Sequence, residues 1–312
     1  MRHVNLTPRF WVAAALVAFT LVVGLLGPLV VRTDPDAVIG GLYTPPGGGL
    51  AMLLGTDNEG QSVLANLVHG TRTSLVVGLL AGVVASVIGL ALGLVAGYQG
   101  GWIDDVIGGL TNVALAIPSI VLVILLGIAL DNRGSLALAL IIGVTSWPWM
   151  ARSVRAQASS IRAREHIDVA KLSGASWASI LLRDVLPYLL SYVVMAFVLQ
   201  VSGAILAEAA LSLLGLGPAG GTSLGMMLYW SLQWGSVRTG AWWAFLPPTL
   251  MLTLIAFSLL LLQSSLDEVF NPRLRRGRRA RGRGGVAAAP AAAPTPVGAT
   301  VEAAVPAGPG GR

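Results

Sequence analysis

Cysteine is absent from this chain, so disulfides, thiolate nucleophiles and cysteine-ligated metals are excluded. Charge is scarce as well. Lys, Arg, Asp and Glu make up 11% of 312 residues, against about a quarter in ordinary soluble domains. The three histidines, His3, His69 and His166, fall in separate segments, and no shared metal site is expected from them. No nucleophile elbow, zinc-protease helix or phosphate loop is recognised, so no catalytic residue is assigned. The net charge of +6 comes mostly from an Arg-rich stretch near the C-terminus, and no nucleic-acid partner is inferred from it.

What the sequence has instead is apolar length. Apolar residues make up 55%, in runs long enough to cross a hydrocarbon core of about 30 Å, which takes roughly 20 helical residues. Six spans are expected, near 11–31, 74–98, 106–129, 136–151, 188–214 and 243–266. They are expected as helices, because lipid offers no hydrogen-bond partner to an exposed backbone and a barrel would show short alternating segments. The fold class is therefore an all-α integral membrane protein of six transmembrane helices. The run from Phe10 to Val31 follows Arg2 and Arg9 as a secretory leader would, but it is too long for one and lacks a small-residue cleavage site. It is read as an uncleaved first span after a cytoplasmic N-terminus, residues 1–10.

Arginine placement sets the orientation. With the N-terminus inside, Arg2, Arg9, Arg152, Arg155, Arg162, Arg164, Lys171, Arg183 and the cluster from Arg273 to Arg283 all fall in the cytoplasm. Only Arg32, Arg72, Arg133 and Arg238 fall outside. The positive-inside rule then places both termini and the 152–187 segment in the cytoplasm, with 32–73 outside.

Within the spans four features stand out. Gly78, Gly82, Ser86, Gly89, Gly93 and Gly97 give the second span a face almost free of side chains, suited either to tight packing in the bundle or to a partner subunit or pathway. Pro118, Pro148, Pro247 and Pro248 each remove a backbone donor, so kinks are expected there, serving as hinges or as shape. Glu208 is an acidic residue well inside a span. A carboxylate there costs on the order of 3 kcal/mol on insertion scales, so it either faces a polar cavity or partner, or is hydrogen-bonded near the outer interface. Asp104 and Asp105 read as a solvated helix start. Outside, Gly55-Thr56-Asp57-Asn58-Glu59-Gly60 reads as a turn into a helix capped by Thr56 or Asp57, with Val63, Leu64, Leu67 and Val68 forming a stripe that could rest on the membrane surface.

The stretch from Arg152 to Pro187 interrupts this apolar chain with polar sequence. Glu165 and Asp168 lie three apart on a predicted helix, Gly174 ends it, Ser176 caps the next, and Leu186-Pro187 lead into a new apolar run. Two short helices hinged at Gly174 would leave the membrane yet carry Ile161, Ile167, Leu172 and Trp177 to bury at an interface.

Together these motifs resemble the permease subunits of bacterial ABC importers for dipeptides, oligopeptides and nickel. The resemblance rests on Gly55-Thr56-Asp57 and Gly60, Gly97-Tyr98-Gln99-Gly100-Gly101-Trp102-Ile103-Asp104, Ala116-Ile117-Pro118-Ser119, Trp147-Pro148, Ala151-Arg152, Gly203 to Glu208, and Leu211 to Gly217. It runs from about Gly55 to Pro272, and the extra first span points to the second permease of the pair. The resemblance implies a type I importer permease bundle, with a five-helix core over 74–272. Its cytoplasmic loop would form a coupling helix docking on an ATPase, through Glu165, Asp168, Ala170, Gly174, Leu186 and Pro187. Glu208, Pro118, Pro148 and Gly203 are candidate pathway or hinge residues.

It further implies a second homologous permease, two ATPase subunits that bind ATP and magnesium, an extracytoplasmic solute-binding protein, and a bacterial plasma-membrane location. This chain would bind no cofactor or metal and catalyse nothing itself. Three departures from the family pattern are Asp168-Val169 for Glu-Ala, Asp184 for His, and Gln61-Ser62 for Arg-Asp; the last bears on contacts with the binding protein. The rival reading is a stand-alone secondary transporter or channel, which would need ion-coupling groups that these spans hardly offer. The Arg, Ala, Pro and Gly-rich tail, 273–312, is expected to be disordered, its arginines lying against anionic lipid headgroups at about 1 kcal/mol each.

Overall fold

A computed structural model describes residues 7–129 and 134–270. The expected disordered tail and the first six residues lie outside them. The described chain is helical: α1 Pro8–Val30, α2 Val63–Gln99, α3 Gly101–Ala116, α4 Ser119–Ala129, α5 Ser135–Arg162, α6 Glu165–Leu172, α7 Trp177–Ile180, α8 Leu186–Leu213, α9 Leu224–Gln233 and α10 Trp242–Phe270. A π-helical turn, Leu181–Val185, joins α7 to α8, so Trp177–Leu213 is one apolar stretch of 37 residues.

The third span is a correction to the expected single helix. It is broken into α3 and α4, bent by 85°. The cause is local: Pro118 has no amide to donate and forces the residue before it out of the helical region, and Ile117 sits at φ −91°, ψ 126°. The Pro118 carbonyl then accepts from Val121 and starts α4. The other prolines do not interrupt their helices: α5 runs on through Pro148 and α10 through Pro247 and Pro248. Near Pro148, the Ser146 carbonyl accepts from Gln200 Nε2 of α8 at 3.0 Å, a hydrogen bond that ties α5 to α8.

α2 is the axis of the bundle. Its 37 residues make a rod of about 55 Å, longer than the hydrocarbon core. The expected membrane-surface stripe is instead its buried first turns: Val63, Leu67 and Val68 pack into the core. The glycine face divides between two neighbours in the same chain. A Cβ on Gly82 would stand 2.6 Å from Val201 of α8, while on Gly89 and Gly93 it would meet Met150 and the Ala151 carbonyl of α5, at 2.8 and 2.6 Å. Bundle packing therefore uses this face completely over those turns, which is why the backbones can approach so closely.

Both ends of the bundle are identifiable. At one end Tyr98 of α2, Val154 and Ala158 of α5 and Leu189 of α8 pack with Ile167 and Ile180 of the polar segment. At the other, Val63 and Leu67 of α2 meet Leu224 and Met227 of α9 and Ile255 of α10. Trp243 at the start of α10 donates to the Thr56 carbonyl at 3.0 Å, so α10 begins at this second end. Its far end carries Glu268, which accepts from Arg9 of α1 at 3.1 Å. The start of α1 and the end of α10 thus lie on the side of the polar segment. The α3–α4 pair starts at Gly101 on that side and leads to Ser135, which shares a cleft with His69 and Arg72 at the opposite end, so the broken pair counts as a single crossing.

Candidate functional site

At the first end the polar segment differs from its expected outline. Residues 152–162 continue α5 rather than opening a loop, and they anchor α3: Arg155 pairs with Asp104, and Arg152 Nη2 donates to Asn112 Oδ1 at 2.6 Å. Asp104, expected as a solvated helix start, is thus an ion-pair partner. The segment that leaves the bundle is α6, its following turn and α7. Glu165 and Asp168 fall in the first turn of α6, where carboxylates suit the helix dipole, and Asp168 Oδ1 also accepts from Lys171 Nζ at 3.0 Å.

The end of α6 is a Schellman motif. The Gly174 amide bonds the Lys171 carbonyl at 3.0 Å and the Ala175 amide bonds the Ala170 carbonyl at 3.2 Å, with Gly174 at φ +78°. That left-handed position is the reason for glycine. Ser176 then caps α7 by accepting from the Ser179 amide at 3.3 Å. Leu186 packs against the core beneath the loop, and its amide reaches the Leu181 carbonyl, closing the π turn just before Pro187. Pro187 itself is exposed, and its missing donor accounts for a widened turn there.

The four apolar residues expected at an interface separate into two sets. Ile161 and Ile167 are buried inside the chain, whereas Leu172 is 89% and Trp177 55% exposed. With Val169 and Leu182, also exposed, they give the loop an apolar outer face above a firmly packed inner one.

The opposite end holds the second candidate, a cavity of about 400 Å³ bordered by Asp57, Glu59, Asn66, Thr222, Met227 and Trp230 among others. Neither Thr56 nor Asp57 caps α2 as expected; Ser62 does, accepting from the Ala65 amide at 3.2 Å. Thr56 braces the turn instead, accepting from the Thr44 amide and donating to the Gly41 carbonyl, both at 2.7 Å. Asp57 Oδ1 accepts from the Glu59 and Gln61 amides, each at 2.9 Å, and Oδ2 from Asn66 Nδ2 at 3.1 Å. Burial raises the Asp57 carboxyl above its usual range, and those hydrogen bonds pull it partly back.

Glu208 does not border this cavity. It is fully buried and accepts from Ser74 Oγ at 2.8 Å and Ser212 Oγ at 2.7 Å. Gly203, by contrast, lies exposed on α8, Pro118 is exposed at the α3–α4 break, and Pro148 is buried in α5. These four residues do not form one site within the chain. Sequence reading missed one string altogether. Gly221-Thr222-Ser223-Leu224-Gly225 spells the G-x-S-x-G of a nucleophile elbow, but Ser223 is buried and caps α9, accepting from the Met226 amide at 3.1 Å.

Comparison with known proteins follows the same outline. Residues 89–276 match the family described as binding-protein-dependent transport system inner membrane component. The dipeptide transport system permease protein DppC of Bacillus subtilis is 32% identical over 267 residues, 84% of this chain and 81% of that protein. The oligopeptide transport system permease protein OppC of Mycobacterium tuberculosis is 31% identical over 268 residues, 85% of this chain and 90% of that one. Among solved structures, an inward-facing MetNI methionine ABC transporter covers 65% of this chain and 96% of its own at a TM-score of 0.52 and 20% identity. That likeness concerns the fold, an ABC importer permease bundle.

Proposed function

Because this chain belongs to the family of binding-protein-dependent transport system inner membrane components, we propose that it is one of two paired permease subunits of an ATP-driven importer of short peptides. It is a multi-pass membrane subunit of a transport system. The observation that carries the coupling assignment is the two-sided loop: Ile167 and Ile180 are locked into the bundle while Leu172 and Trp177 stand free. An ATPase that seats on Leu172 and Trp177 would move α6, and α6 would move the inner ends of α2, α5 and α8 through the shared core.

The remaining parts of the mechanism belong to the same proposal. ATP and magnesium sit on two partner ATPases, and this chain positions no catalytic group. Both termini and α6 face the cytoplasm, as the arginine distribution requires. A homologous permease covers the exposed apolar faces of α3 and α4, where Val106, Val113, Leu125 and Ile128 are exposed. A binding protein delivers solute to the end that carries the Asp57 cavity. Short peptides are favoured as solute by the similarity to dipeptide and oligopeptide permeases.

The test is uptake into proteoliposomes holding this chain with its co-purifying permease and ATPases, binding protein outside and ATP inside. Labelled dipeptides, longer peptides and nickel are compared. ATP-dependent accumulation of peptide is expected. Accumulation of nickel alone would replace the solute, and movement without ATP would replace the importer by a secondary transporter.

A further inference from the structure

Glu208 is a fully buried acidic group that the proposed mechanism does not use. Its two carboxylate oxygens are each taken by a serine hydroxyl from a different place: Ser74 on α2 and Ser212 one turn further along α8. The next partners fix the direction of every proton. Ser74 Oγ gives its hydrogen to Glu208, so it can only accept from its other neighbour, the Leu224 amide at 3.3 Å. Ser212 likewise gives its hydrogen to Glu208. In its 3.3 Å contact with Ser223 Oγ, Ser223 must therefore be the donor. Ser223 in turn accepts from the Met226 amide at 3.1 Å.

Leu224 and Met226 are the first and third residues of α9, whose opening amides have no helical carbonyl to bond. Two of those amides are thus relayed through serines onto one buried carboxylate, one branch through α2 and one through α8. Close approach makes this possible. A Cβ on Gly225 would lie 2.6 Å from Ser212 Cβ, and one on Gly70 would lie 3.1 Å from the Ser223 backbone.

We infer that Glu208 is a positioning residue, which through Ser74, Ser212 and Ser223 holds α9 against α2 and α8 and so sets the wall of the cavity beside Asp57. The wall follows from α9 itself. Met226, Met227 and Trp230 of α9 border that cavity, and Thr222, just before Ser223, donates to Asn66 Oδ1 at 3.2 Å. The ladder accordingly continues from Glu208 to Asn66 and Asp57, joining the outer turn to two long helices. Glu208 acts on transport through α9 and not by touching solute. The part of this inference that concerns delivery of solute rests on the importer reading.

The experiment is hydrogen–deuterium exchange on the complete reconstituted transporter, with binding-protein-stimulated ATP hydrolysis measured on the same preparation. Glu208→Ala is expected to speed exchange of the first-turn amides of α9 about tenfold or more while α5 keeps its protection. The branches should separate: Ser74→Ala releases chiefly the Leu224 amide, and Ser212→Ala chiefly that of Met226. Glu208→Gln, which keeps one acceptor oxygen, should fall between wild type and Glu208→Ala. The binding-protein concentration giving half-maximal stimulation should rise with α9 exchange across the four variants. Unchanged α9 exchange in Glu208→Ala, or equal acceleration in α5, would overturn the assignment. Wild-type uptake without ATP would remove the importer reading and leave the exchange result standing.

Discussion

Single residues set the local chemistry of both ends. Asp57 shows how far environment outweighs residue type. Its carboxyl is raised by burial despite three hydrogen bonds, so the folded chain holds that proton more tightly than the unfolded chain does. Stability from this group is then fully present below the unfolded value and is lost as pH rises through the folded one. Thermal unfolding of the purified chain in nanodiscs should therefore give a pH-dependent contribution that falls between acid and neutral pH, and Asp57→Asn should remove that contribution. A wild-type and an Asp57→Asn profile running parallel would contradict it. Gly93 tests packing in the same spirit. A methyl there would press on the Ala151 carbonyl at 2.6 Å and Val154 Cβ at 2.8 Å, both on α5. Gly93→Ala is expected to destabilise by about 1–3 kcal/mol, read as a lower unfolding temperature, whereas Gly109→Ala, where a Cβ meets nothing within 4 Å, should leave that temperature unchanged or raise it, by up to about 1 kcal/mol of helix propensity.

Among the elements, α6 and the α3–α4 pair carry the departures from regular helix. α6 stays attached by Ile167 and is ended by the Schellman turn at Gly174. A side chain at φ +78° costs about 1–2 kcal/mol for most residues, while Asn tolerates it best. Gly174→Asn should therefore keep near wild-type transport per ATP hydrolysed, and Gly174→Val should lower it, the chain remaining folded because nothing surrounds that position. The opposite ranking would place the role of Gly174 elsewhere than in its backbone. The α3–α4 break needs no partner to explain it, because Pro118 and the extended Ile117 suffice. What the break does is expose both short helices along most of their length, leaving a broad apolar face for lipid or a neighbouring subunit.

For the molecule as a whole, the two ends are joined by α2, which runs unbroken from the Ser62 cap beside the Asp57 cavity to Tyr98 beneath the loop. A push on α6 and a load on the outer turn therefore act on the same rod. The exposed apolar residues of the loop add nothing to the chain's own core, so their replacement separates assembly from stability. Leu172→Asp with Trp177→Asp should shift the unfolding temperature of the isolated chain by no more than about 2–4 °C, since two surface substitutions at about ±0.5 kcal/mol each amount to about 1 kcal/mol. Co-purification of ATPase should be lost. Retained ATPase together with unchanged uptake would move the docking surface away from α6.

Class, approximate spans and local punctuation are legible in the chain alone, because hydropathy, glycine at a left-handed cap and proline at a break act over a few residues. Ser176 as a cap, Gly174 as a stop and a small-residue face on α2 were all legible for that reason. Its reach failed where a residue's partner is remote in the chain. Residues 152–162 read as loop because their charges look solvated, yet Asp104, 51 positions before Arg155, pairs with it across helices. The same holds for Glu208. Its isolation in an apolar run leaves open a polar cavity, a partner subunit or hydrogen bonds near the outer interface, and the structure supplies the hydrogen bonds, from Ser74, 134 residues away, and from Ser212. Only tertiary structure decides whether a buried charge faces a pathway or a hydrogen bond, because the cost of burial fixes that it must be satisfied and not by which group.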